Sequence, residues 1–215
     1  MTHTMDLSEV RREYESHRLH KREMDEDPIV QFGLWLKQAR DYELLDATAM
    51  ILATASADGQ PSARVVLLKQ FDHRGFCWYT DSRSRKGQQM QENSRAALLF
   101  HWRDFSRQIR IEGHVSRLPA EEAEAYFQSR PEGSRFSAAS SHQSAEIASR
   151  DALEAEVARL RAEYPDGQVP RPEAWIGYRL EPEYFEFWQG QDNRLHDRIV
   201  YTPEADGWGM ARLSP

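Results

Sequence analysis

The stretch that decides the fold is Ala49-Met-Ile-Leu-Ala-Thr-Ala55, Asp58-Gly59, Ala63-Arg-Val-Val-Leu-Leu-Lys-Gln-Phe71, Arg74-Gly75 and Phe76-Cys-Trp-Tyr-Thr80. Its three apolar runs have the length and the β-branched or aromatic content of strands. Glycine-containing pairs separate the runs, and an Asp-Gly pair between apolar runs is a strong signal for a hairpin turn. The stretch therefore predicts an antiparallel meander.

The same patterns extend outward from this meander to both ends of the chain. They predict helices over 28–41, 84–93, 119–129 and 151–164, a loop or weak helix over 134–149, and strands over 96–102, 108–115, 175–180, 184–189, 198–201 and 208–213. Five or six strands within roughly 70 residues favour a closed or split barrel. We predict a mainly β fold with peripheral helices (α+β), organised as one domain over 28–215 behind a polar N-terminal arm, 1–27.

Composition narrows the class of protein. The chain has 215 residues, of which 40% are hydrophobic and 29% charged, as in an ordinary globular protein. Its formal charge of −7 argues against a general nucleic-acid binder, which needs a basic surface. The one cysteine, Cys77, is expected to be buried and inert, as suits a reducing compartment. Residues 1–20 lack a signal-peptide pattern and no apolar window approaches membrane-helix length, so we predict a cytoplasmic protein with no membrane partner.

Several familiar sites are missing from the sequence. The chain has neither Gly-x-Gly-x-x-Gly nor a Walker-type loop, so a Rossmann dinucleotide site and a P-loop are not indicated. The eight histidines include no His-Glu-x-x-His pattern, and cysteine pairs are absent, so no metal site is predicted.

Two groups of cationic and hydroxyl side chains are candidate phosphate sites. Ser84-Arg85-Lys86 stands at a predicted helix N-terminus, where backbone N–H groups and the helix dipole favour an anion. Tyr126 and Arg130 are four residues apart and share a helix face, and Ser134 follows a turn. For both groups, solvated surface residues are the alternative interpretation.

A third group lies near the C-terminus. Arg194, His196 and Arg198 alternate, so on a strand they face the same way, which is costly unless an anion neutralises them.

Arg64 and Lys69 flank an apolar run, and strict alternation puts them on opposite faces unless the strand bulges. These two side chains either bind different ligands or extend into solvent at the ends of the strand.

Seven motifs stand in order along the chain: Arg64-Val-Val-Leu-Leu-Lys69, Tyr79-Thr80, Ser84-Arg85-Lys86, Tyr126-x-x-x-Arg130-Pro131, Gln143-Ser144, Glu186-Phe-Trp-Gln-Gly190 with Arg194-Leu-His-Asp-Arg198, and Arg212-Leu213-x-Pro215. Together they resemble the pyridoxamine 5′-phosphate oxidases, over nearly the whole chain from Arg11 to Pro215. The resemblance implies an FMN-binding split β-barrel that holds the flavin at the interface of a homodimer.

The resemblance also implies a role for each matching residue. The residues that would bind FMN are Arg64, Val65, Val66, Leu67, Leu68, Lys69, Tyr79, Thr80, Arg85, Lys86, Gln108, Gln143, Ser144, Trp188 and Arg198. The residues that would bind substrate are Arg11, Arg12, Glu13 and Tyr14 as a lid, Lys69, Tyr126, Arg130 and Ser134 on the phosphate, and Arg194, Leu195 and His196. Arg194 and His196 would be the catalytic pair, lying over the pyridine ring.

The activity implied is oxidation of pyridoxamine or pyridoxine 5′-phosphate to pyridoxal 5′-phosphate. A hydride would pass from the C4′ carbon to flavin N5, and dioxygen would reoxidise the flavin and yield hydrogen peroxide. The planar cation of Arg194 suits a position against the substrate ring.

Two other functions fit the same fold. A phenazine-biosynthesis type of flavin oxidase would act on another substrate, but this chain keeps the predicted phosphate-binding residues. A module that only binds flavin or haem would have no use for Arg194 and His196.

One stretch departs from the resemblance: Phe136-Ser137-Ala138-Ala139 stands where the family usually has Ile-Gly-Ala-Trp, so local packing is expected to differ there.

Overall fold

Strands outnumber helices in the computed structural model, which describes residues 18–215. The helices are α1 (Pro28–Asp41), α2 (Arg85–Glu92), α3 (Ala120–Ser129), α4 (Glu132–Ser140) and α5 (Arg150–Glu163), with 3-10 turns at Lys21–Glu23, Arg103–Phe105 and Asp192–Arg194. The strands are β1 (Ala49–Ala55), β2 (Pro61–Leu67), β3 (Gln70–Asp72), β4 (Gly75–Asp81), β5 (Arg95–Trp102), β6 (Arg107–Arg117), β7 (Trp175–Gln189), β8 (Asp197–Glu204) and β9 (Gly207–Leu213). This confirms the prediction of a mainly β fold with peripheral helices.

The described residues divide into two compact units. The central unit comprises 48–99 and 111–183, and the terminal unit comprises 18–47, 100–110 and 184–215. The predicted lid residues Arg11, Arg12, Glu13 and Tyr14 lie outside the described residues. No helix in the described part of the chain is long and apolar enough to cross a membrane.

The nine described strands form one sheet with the order β2-β1-β5-β6-β7-β4-β3, and β8 pairs with β7 and β9. The predicted first hairpin is confirmed: β1 pairs antiparallel with β2, and Gly59 in the turn has φ +85°, which the lack of a side chain permits. The single strand predicted over 63–71 is wrong, because β2 ends at Leu67 and β3 begins at Gln70. Between them the Leu68 N–H donates to Thr48 O and the Lys69 N–H to Cys77 O, so the chain changes its partner strand here.

Strand β7 is continuous where the sequence predicted two strands, over 175–180 and 184–189. The intervening Pro182 lacks an N–H but keeps extended geometry, which a strand tolerates where no ladder bond is needed. A Cβ on Gly113 would lie 2.0 Å from Glu181 O, and one on Gly75 would lie 2.0 Å from Leu180 O. Two glycines therefore let neighbouring backbone approach the middle of β7 closely.

Helices α3, α4 and α5 enclose a hydrophobic cluster in the central unit, made of Phe127, Phe136, Leu160, Val169 and Trp175. The sequence left 134–149 open as a loop or weak helix, and the short helix α4 forms in the first half of that range. Phe136 is fully buried in the cluster, and Ala138 and Ala139 pack against it, so tertiary contacts stabilise this short helix. The stretch that departs from the resemblance is thus part of a packed core.

The terminal unit has its own aromatic core beside α1. Phe32 packs edge-on against Phe100 with ring centroids 5.0 Å apart, and Trp35 packs against Phe187 at 5.1 Å. Residues 18–27 contact the β8–β9 hairpin, since the Leu19 N–H donates to Asp197 Oδ2 at 2.9 Å. The Tyr201 hydroxyl donates to the carbonyl of Asp25 at 2.7 Å.

Candidate active site

A cavity of about 610 Å³ opens in the central unit where several predicted ligands converge. Three of its lining residues are cations, Lys69, Lys86 and Arg130, and no described lining residue is a carboxylate. The other lining residues are Val65, Val66, Leu67, Tyr79, Thr80, Tyr126, Ser129, Pro131, Ser134, Ser137, Ala138, Ser141, Gln143 and Trp175. The cavity therefore suits an anionic ligand with an apolar or aromatic part.

Arg130 is half-buried in the wall of the cavity, and its Nη1 has unused hydrogen-bonding capacity. Helix α3 ends at Ser129 and Arg130 has extended backbone angles, so the prediction that Tyr126 and Arg130 share a helix face is wrong in its geometry. Both side chains nevertheless line the cavity. Arg130 Nη1 is buried without a hydrogen-bond partner among the described residues, and burial lowers the pKa of Arg130. A buried, unsatisfied guanidinium nitrogen is costly unless a ligand satisfies it.

Lys69 and Ser134 complete the group predicted to hold the substrate phosphate. Lys69 follows the end of β2, so strand alternation no longer determines its direction, and its exposed side chain lines the cavity. Ser134 lies in the first turn of α4 and lines the same cavity. Leu68, predicted to contact FMN, has its side chain in the core, 4% exposed.

The beginning of helix α2 forms one side of the site. Ser84 stands at the helix N-terminus, as predicted, and caps the helix by accepting from the Gly87 N–H. A Cβ on Gly87 would lie 2.3 Å from Ser82 O, so only glycine allows the helix to pack this closely on the preceding turn. The Arg85 N–H donates to Ser144 Oγ at 3.2 Å, which joins the predicted 143–144 motif to the helix.

Gln143 links two predicted flavin ligands. Its Oε1 accepts from Thr80 Oγ1 at 3.0 Å and from Lys86 Nζ at 2.9 Å. Tyr79, next to Thr80, stacks on Tyr126 with ring centroids 4.1 Å apart, and burial raises the pKa of Tyr79 to about 12. The predicted flavin and substrate residues thus contact each other directly in the central unit.

The positive charge of Arg64 is disfavoured by that of Arg85, and the positive charge of Lys86 is disfavoured by that of Arg64. Burial lowers the pKa of Arg64, and the positive charge of Arg85 lowers it further. Burial also lowers the pKa of Lys86, with a further contribution from Arg64. Arg64 donates to Leu52 O at 3.1 Å and Thr54 Oγ1 at 2.7 Å, so its guanidinium is fixed in place. A bound anion would relieve this repulsion.

In the terminal unit, Arg194 and His196 do not alternate on a strand. Strand β8 begins at Asp197, so the prediction that both face the same way as Arg198 is wrong. Arg194 ends a 3-10 turn with φ +60°, a conformation that costs free energy in a residue other than glycine. The exposed Leu195 follows, and the ring of His196 lies 4.6 Å from that of Trp188.

The hydrogen bonding of His196 indicates its protonation state. Its Nδ1 accepts from the Gln191 N–H at 3.0 Å, so the neutral ring carries its proton on Nε2. Burial and the positive charge of Arg194 lower the pKa of His196. The imidazole is therefore neutral at pH 7.

Glu186 is a buried carboxylate to which the sequence motifs assigned no role. Its side chain is 4% exposed and accepts from Arg198 Nε at 2.8 Å and from Arg110 Nη1 at 3.1 Å. The anion that neutralises Arg198 is thus a residue of the chain itself. The available signal was a carboxylate inside the apolar run of β7, since such a group is buried only when it is paired.

The structure brings eleven predicted ligands to the cavity of the central unit. They are Val65, Val66, Leu67, Lys69, Tyr79, Thr80, Lys86, Tyr126, Arg130, Ser134 and Gln143. Arg64, Leu68, Arg85 and Ser144 belong to the same unit but not to the cavity lining, and Gln108, Trp188, Arg194, Leu195, His196 and Arg198 belong to the terminal unit. Trp175 also lines the cavity, although no sequence motif included it.

Two sequence profiles match the chain. One, described as pyridoxamine 5′-phosphate oxidase, matches residues 36–164, and the other, described as the pyridoxine 5′-phosphate oxidase C-terminal dimerisation region, matches residues 175–215. The chain is 48% identical over 212 residues to the pyridoxine/pyridoxamine 5′-phosphate oxidase of Janthinobacterium sp. (strain Marseille), covering 98% of this chain and 100% of that protein. It is 50% identical, with the same coverage, to the protein of that name from Herminiimonas arsenicoxydans.

Two solved structures share the fold of this chain. PhzG from Burkholderia lata 383, in complex with tetrahydrophenazine-1-carboxylic acid, superposes with a TM-score of 0.87 at 34% identity, covering 93% of this chain and 99% of that chain. A pyridoxamine 5′-phosphate oxidase-related, FMN binding protein from Nostoc punctiforme PCC 73102 superposes at 0.68 with 17% identity, covering 86% and 97%, and shows a likeness of fold. The chain therefore belongs to the pyridoxamine 5′-phosphate oxidase family of split-barrel oxidoreductases.

Proposed function

We propose that this protein is an FMN-dependent oxidase that makes pyridoxal 5′-phosphate. Pyridoxamine 5′-phosphate, dioxygen and water give the aldehyde, ammonia and hydrogen peroxide. Pyridoxine 5′-phosphate and dioxygen give the same aldehyde and hydrogen peroxide. The observation that carries the proposal is the buried, unpartnered Nη1 of Arg130 in a cavity that Lys69 and Ser134 also line, since these groups suit a phosphate.

The residues of the central unit fit the flavin. Arg64 is repelled by Arg85 and repels Lys86, and the phosphate of FMN would neutralise these three cations. Gln143 holds Lys86 in place, and the cavity offers apolar side chains for a ring system. The chemistry that FMN supplies when bound is two-electron transfer from the C4′ carbon of the substrate to dioxygen.

Arg194 and His196 are proposed to act on the substrate ring. The planar guanidinium of Arg194 holds the ring by stacking, and its position in a left-handed turn fixes the backbone that presents it. His196 is neutral at pH 7 and donates from Nε2, so it orients the substrate or holds a proton without adding a second positive charge.

We also propose that the protein acts as a homodimer with the flavin at the dimer interface. The match of residues 175–215 to a dimerisation region supports this assembly. Gln108, Trp188 and Arg198 are the terminal-unit residues of the proposed flavin set, and residues Arg11 to Tyr14 are the proposed lid. Light scattering of the flavin-loaded protein tests the assembly, and a monomeric mass would exclude it. The buried thiol of Cys77 is compatible with the reducing cytoplasm, where we expect the protein to act.

The test of the activity uses the purified protein under air. We expect a yellow flavin spectrum, and addition of pyridoxamine 5′-phosphate should form equal amounts of aldehyde and hydrogen peroxide. A flavin-loaded protein that forms neither product would overturn the proposal. Turnover of a phosphate-free substrate alone would instead favour the phenazine-type oxidase, and flavin binding without any turnover would favour a binding module.

The variant Arg194→Ala separates binding from chemistry. If Arg194 holds the substrate ring, the variant should retain FMN while its kcat/KM falls by 100-fold or more, about 3 kcal/mol of transition-state stabilisation. Asn193→Ala, in the same turn, is the matched control for backbone disturbance. Equal loss of flavin and of turnover in Arg194→Ala would contradict the role assigned here.

A further inference from the structure

Arg130 is held by aromatic faces instead of a carboxylate. Its guanidinium carbon lies 4.9 Å from the ring centroid of Trp175 and 6.0 Å from that of Phe127. Within residues 18–215 it forms no ion pair, and its Nη1 makes no hydrogen bond. The nearby Arg171 differs, because its Nε donates to Glu124 Oε2 at 3.0 Å.

Trp175 is itself fixed in position. Its side chain is 5% exposed, and its ring stacks on Tyr79 at 5.4 Å with an interplanar angle of 8°. The edge of Phe127 meets the same indole at 5.1 Å and 70°. The carbonyl of Trp175 accepts from Arg171 Nη1 at 2.7 Å, and the residue pairs with Asp81 of β4. The indole therefore presents a rigid surface to the cavity.

An aromatic face and a carboxylate hold a guanidinium in different ways. A carboxylate accepts the in-plane N–H groups and cancels the charge, so the arginine loses both means of binding an anion. An aromatic ring attracts the cation from above its plane and leaves the N–H groups and the net charge available. The absence of a carboxylate partner within the described residues, together with the unbonded Nη1, shows that Arg130 is held in the second way.

We propose that Trp175 is a positioning residue that orients Arg130 toward a phosphate in the cavity. The proposal rests on the proposed function in one respect, that the phosphate belongs to the substrate. Trp175 acts through Arg130, so its effect on phosphate binding disappears when Arg130 is absent. Removing the indole lets the guanidinium turn away and seek water or a surface carboxylate, and the cavity loses its oriented donor.

The test is a double-mutant cycle on the flavin-loaded protein, with pyridoxal 5′-phosphate as the ligand and isothermal titration as the measurement. We expect Arg130→Ala to raise the Kd about 10- to 100-fold and Trp175→Leu about 3- to 30-fold. In the Arg130→Ala background, Trp175→Leu should change the Kd less than about 2-fold. Pyridoxal, which has no phosphate, should bind all four proteins with similar affinity.

Two further variants separate positioning from general packing. Trp175→Phe keeps an aromatic face and should raise the Kd only about 2- to 5-fold, so it serves as the informative variant if Trp175→Leu does not fold. Leu160→Ala removes bulk from the same cluster without lining the cavity, and its Kd should stay within 2-fold of wild type.

The possible failures are distinguishable. If Trp175→Leu weakens binding equally with and without Arg130, the tryptophan acts independently and the positioning role is wrong. If Arg130→Ala leaves the Kd unchanged, both the phosphate-binding role of Arg130 and the inference about Trp175 fail. A coupled effect on pyridoxal 5′-phosphate binding in a protein that does not oxidise pyridoxamine 5′-phosphate supports the inference and overturns only the proposed reaction.

Discussion

Replacing Glu186 by glutamine tests how far the terminal unit depends on one buried carboxylate. Oε1 accepts from Arg198 Nε at 2.8 Å, and Oε2 accepts from Arg198 Nη2 at 3.0 Å and from Arg110 Nη1 and the Tyr184 hydroxyl, each at 3.1 Å. Burial alone would raise the pKa of Glu186. The hydrogen bond from Arg198 and the charges of Arg198 and Arg110 outweigh burial and lower the pKa.

The expected loss follows from the exposure of the partners. Removing one member of a buried ion pair costs about 3–5 kcal/mol, because the remaining charge is left without a partner. The side chains of Arg198 and Arg110 are 26% and 45% exposed, so water compensates part of the loss. We therefore expect Glu186→Gln to lower the free energy of unfolding by about 3 kcal/mol. The corresponding fall in melting temperature is about 6–12 °C for a chain of this size.

Thermal unfolding of the flavin-free protein at pH 7 measures this effect. Protein concentration must be fixed, because the stability of a dimer depends on it. Asp41→Asn is the matched control: it removes an exposed ion pair with Lys37, the two side chains being 62% and 72% exposed, and should cost about 0.5 kcal/mol or less. A shift for Glu186→Gln no larger than that of the control would refute the reasoning.

The pH dependence gives an independent check. Because the folded-state pKa of Glu186 is lowered, its contribution is fully present above the ordinary value of 4.5 and is lost as pH falls through the lowered value. The difference in stability between wild type and Glu186→Gln should therefore be constant from pH 7 to about pH 5 and shrink below that. A difference that persists unchanged at pH 3 would show that packing, and not charge, explains the effect.

Three further changes have defined outcomes. Burial, and to a smaller extent the positive charge of Arg194, lower the pKa of His196. As pH is lowered, kcat/KM should therefore stay level through pH 7 and fall only below the ordinary pKa of 6.5. A decline that already starts at pH 7 or above would contradict this. Gln143→Ala removes the oxygen that accepts from Thr80 and Lys86 and should weaken FMN binding about 10-fold in a fluorescence titration, and an unchanged Kd would remove Gln143 from the flavin site. Phe136→Ala, at a side chain 1% exposed, should cost about 3–5 kcal/mol in urea unfolding, whereas a loss under about 1 kcal/mol would mean that α4 does not depend on the cluster.

The sequence predicted those elements that local chemistry determines. Helix α1 spans 28–41 as predicted, and the carboxylate of Asp27 caps it by accepting from the Ile29 N–H at 2.7 Å. The first hairpin forms at the Asp58-Gly59 pair, since a turn needs only its own residues and the two adjacent strands. Helix α5 spans Arg150–Glu163, within one residue of the prediction at each end. Each of these features depends on contacts between residues that are close in sequence.

Local sequence was least informative where distant residues decide the structure. Helix α4 is polar and short, and its one buried side chain, Phe136, packs against Phe127, Leu160 and Trp175 from three other elements. No window of local sequence contains those partners. Strand β7 continues through Pro182 because neighbouring strands support it on both sides of that residue, and a pattern read along one strand does not include its neighbours.

The sequence does not show which cationic side chains are already paired with a carboxylate of the chain and which are left to bind an anionic ligand. Arg198 meets Glu186 across the β7–β8 pair and uses its Nη1 on Ser214 O, so at least three of its five N–H groups are already bonded. Arg130 lies over Trp175 with Nη1 unbonded in the described part of the chain. The two arginines should therefore respond differently to salt. Phosphate binding through Arg130 depends on net charge and should weaken as ionic strength rises, whereas hydrogen bonds from the neutralised Arg198 should change little. If pyridoxal 5′-phosphate binding in Arg130→Ala keeps the full salt dependence of wild type, the net charge at the phosphate comes from other residues, with Lys69 the first to test.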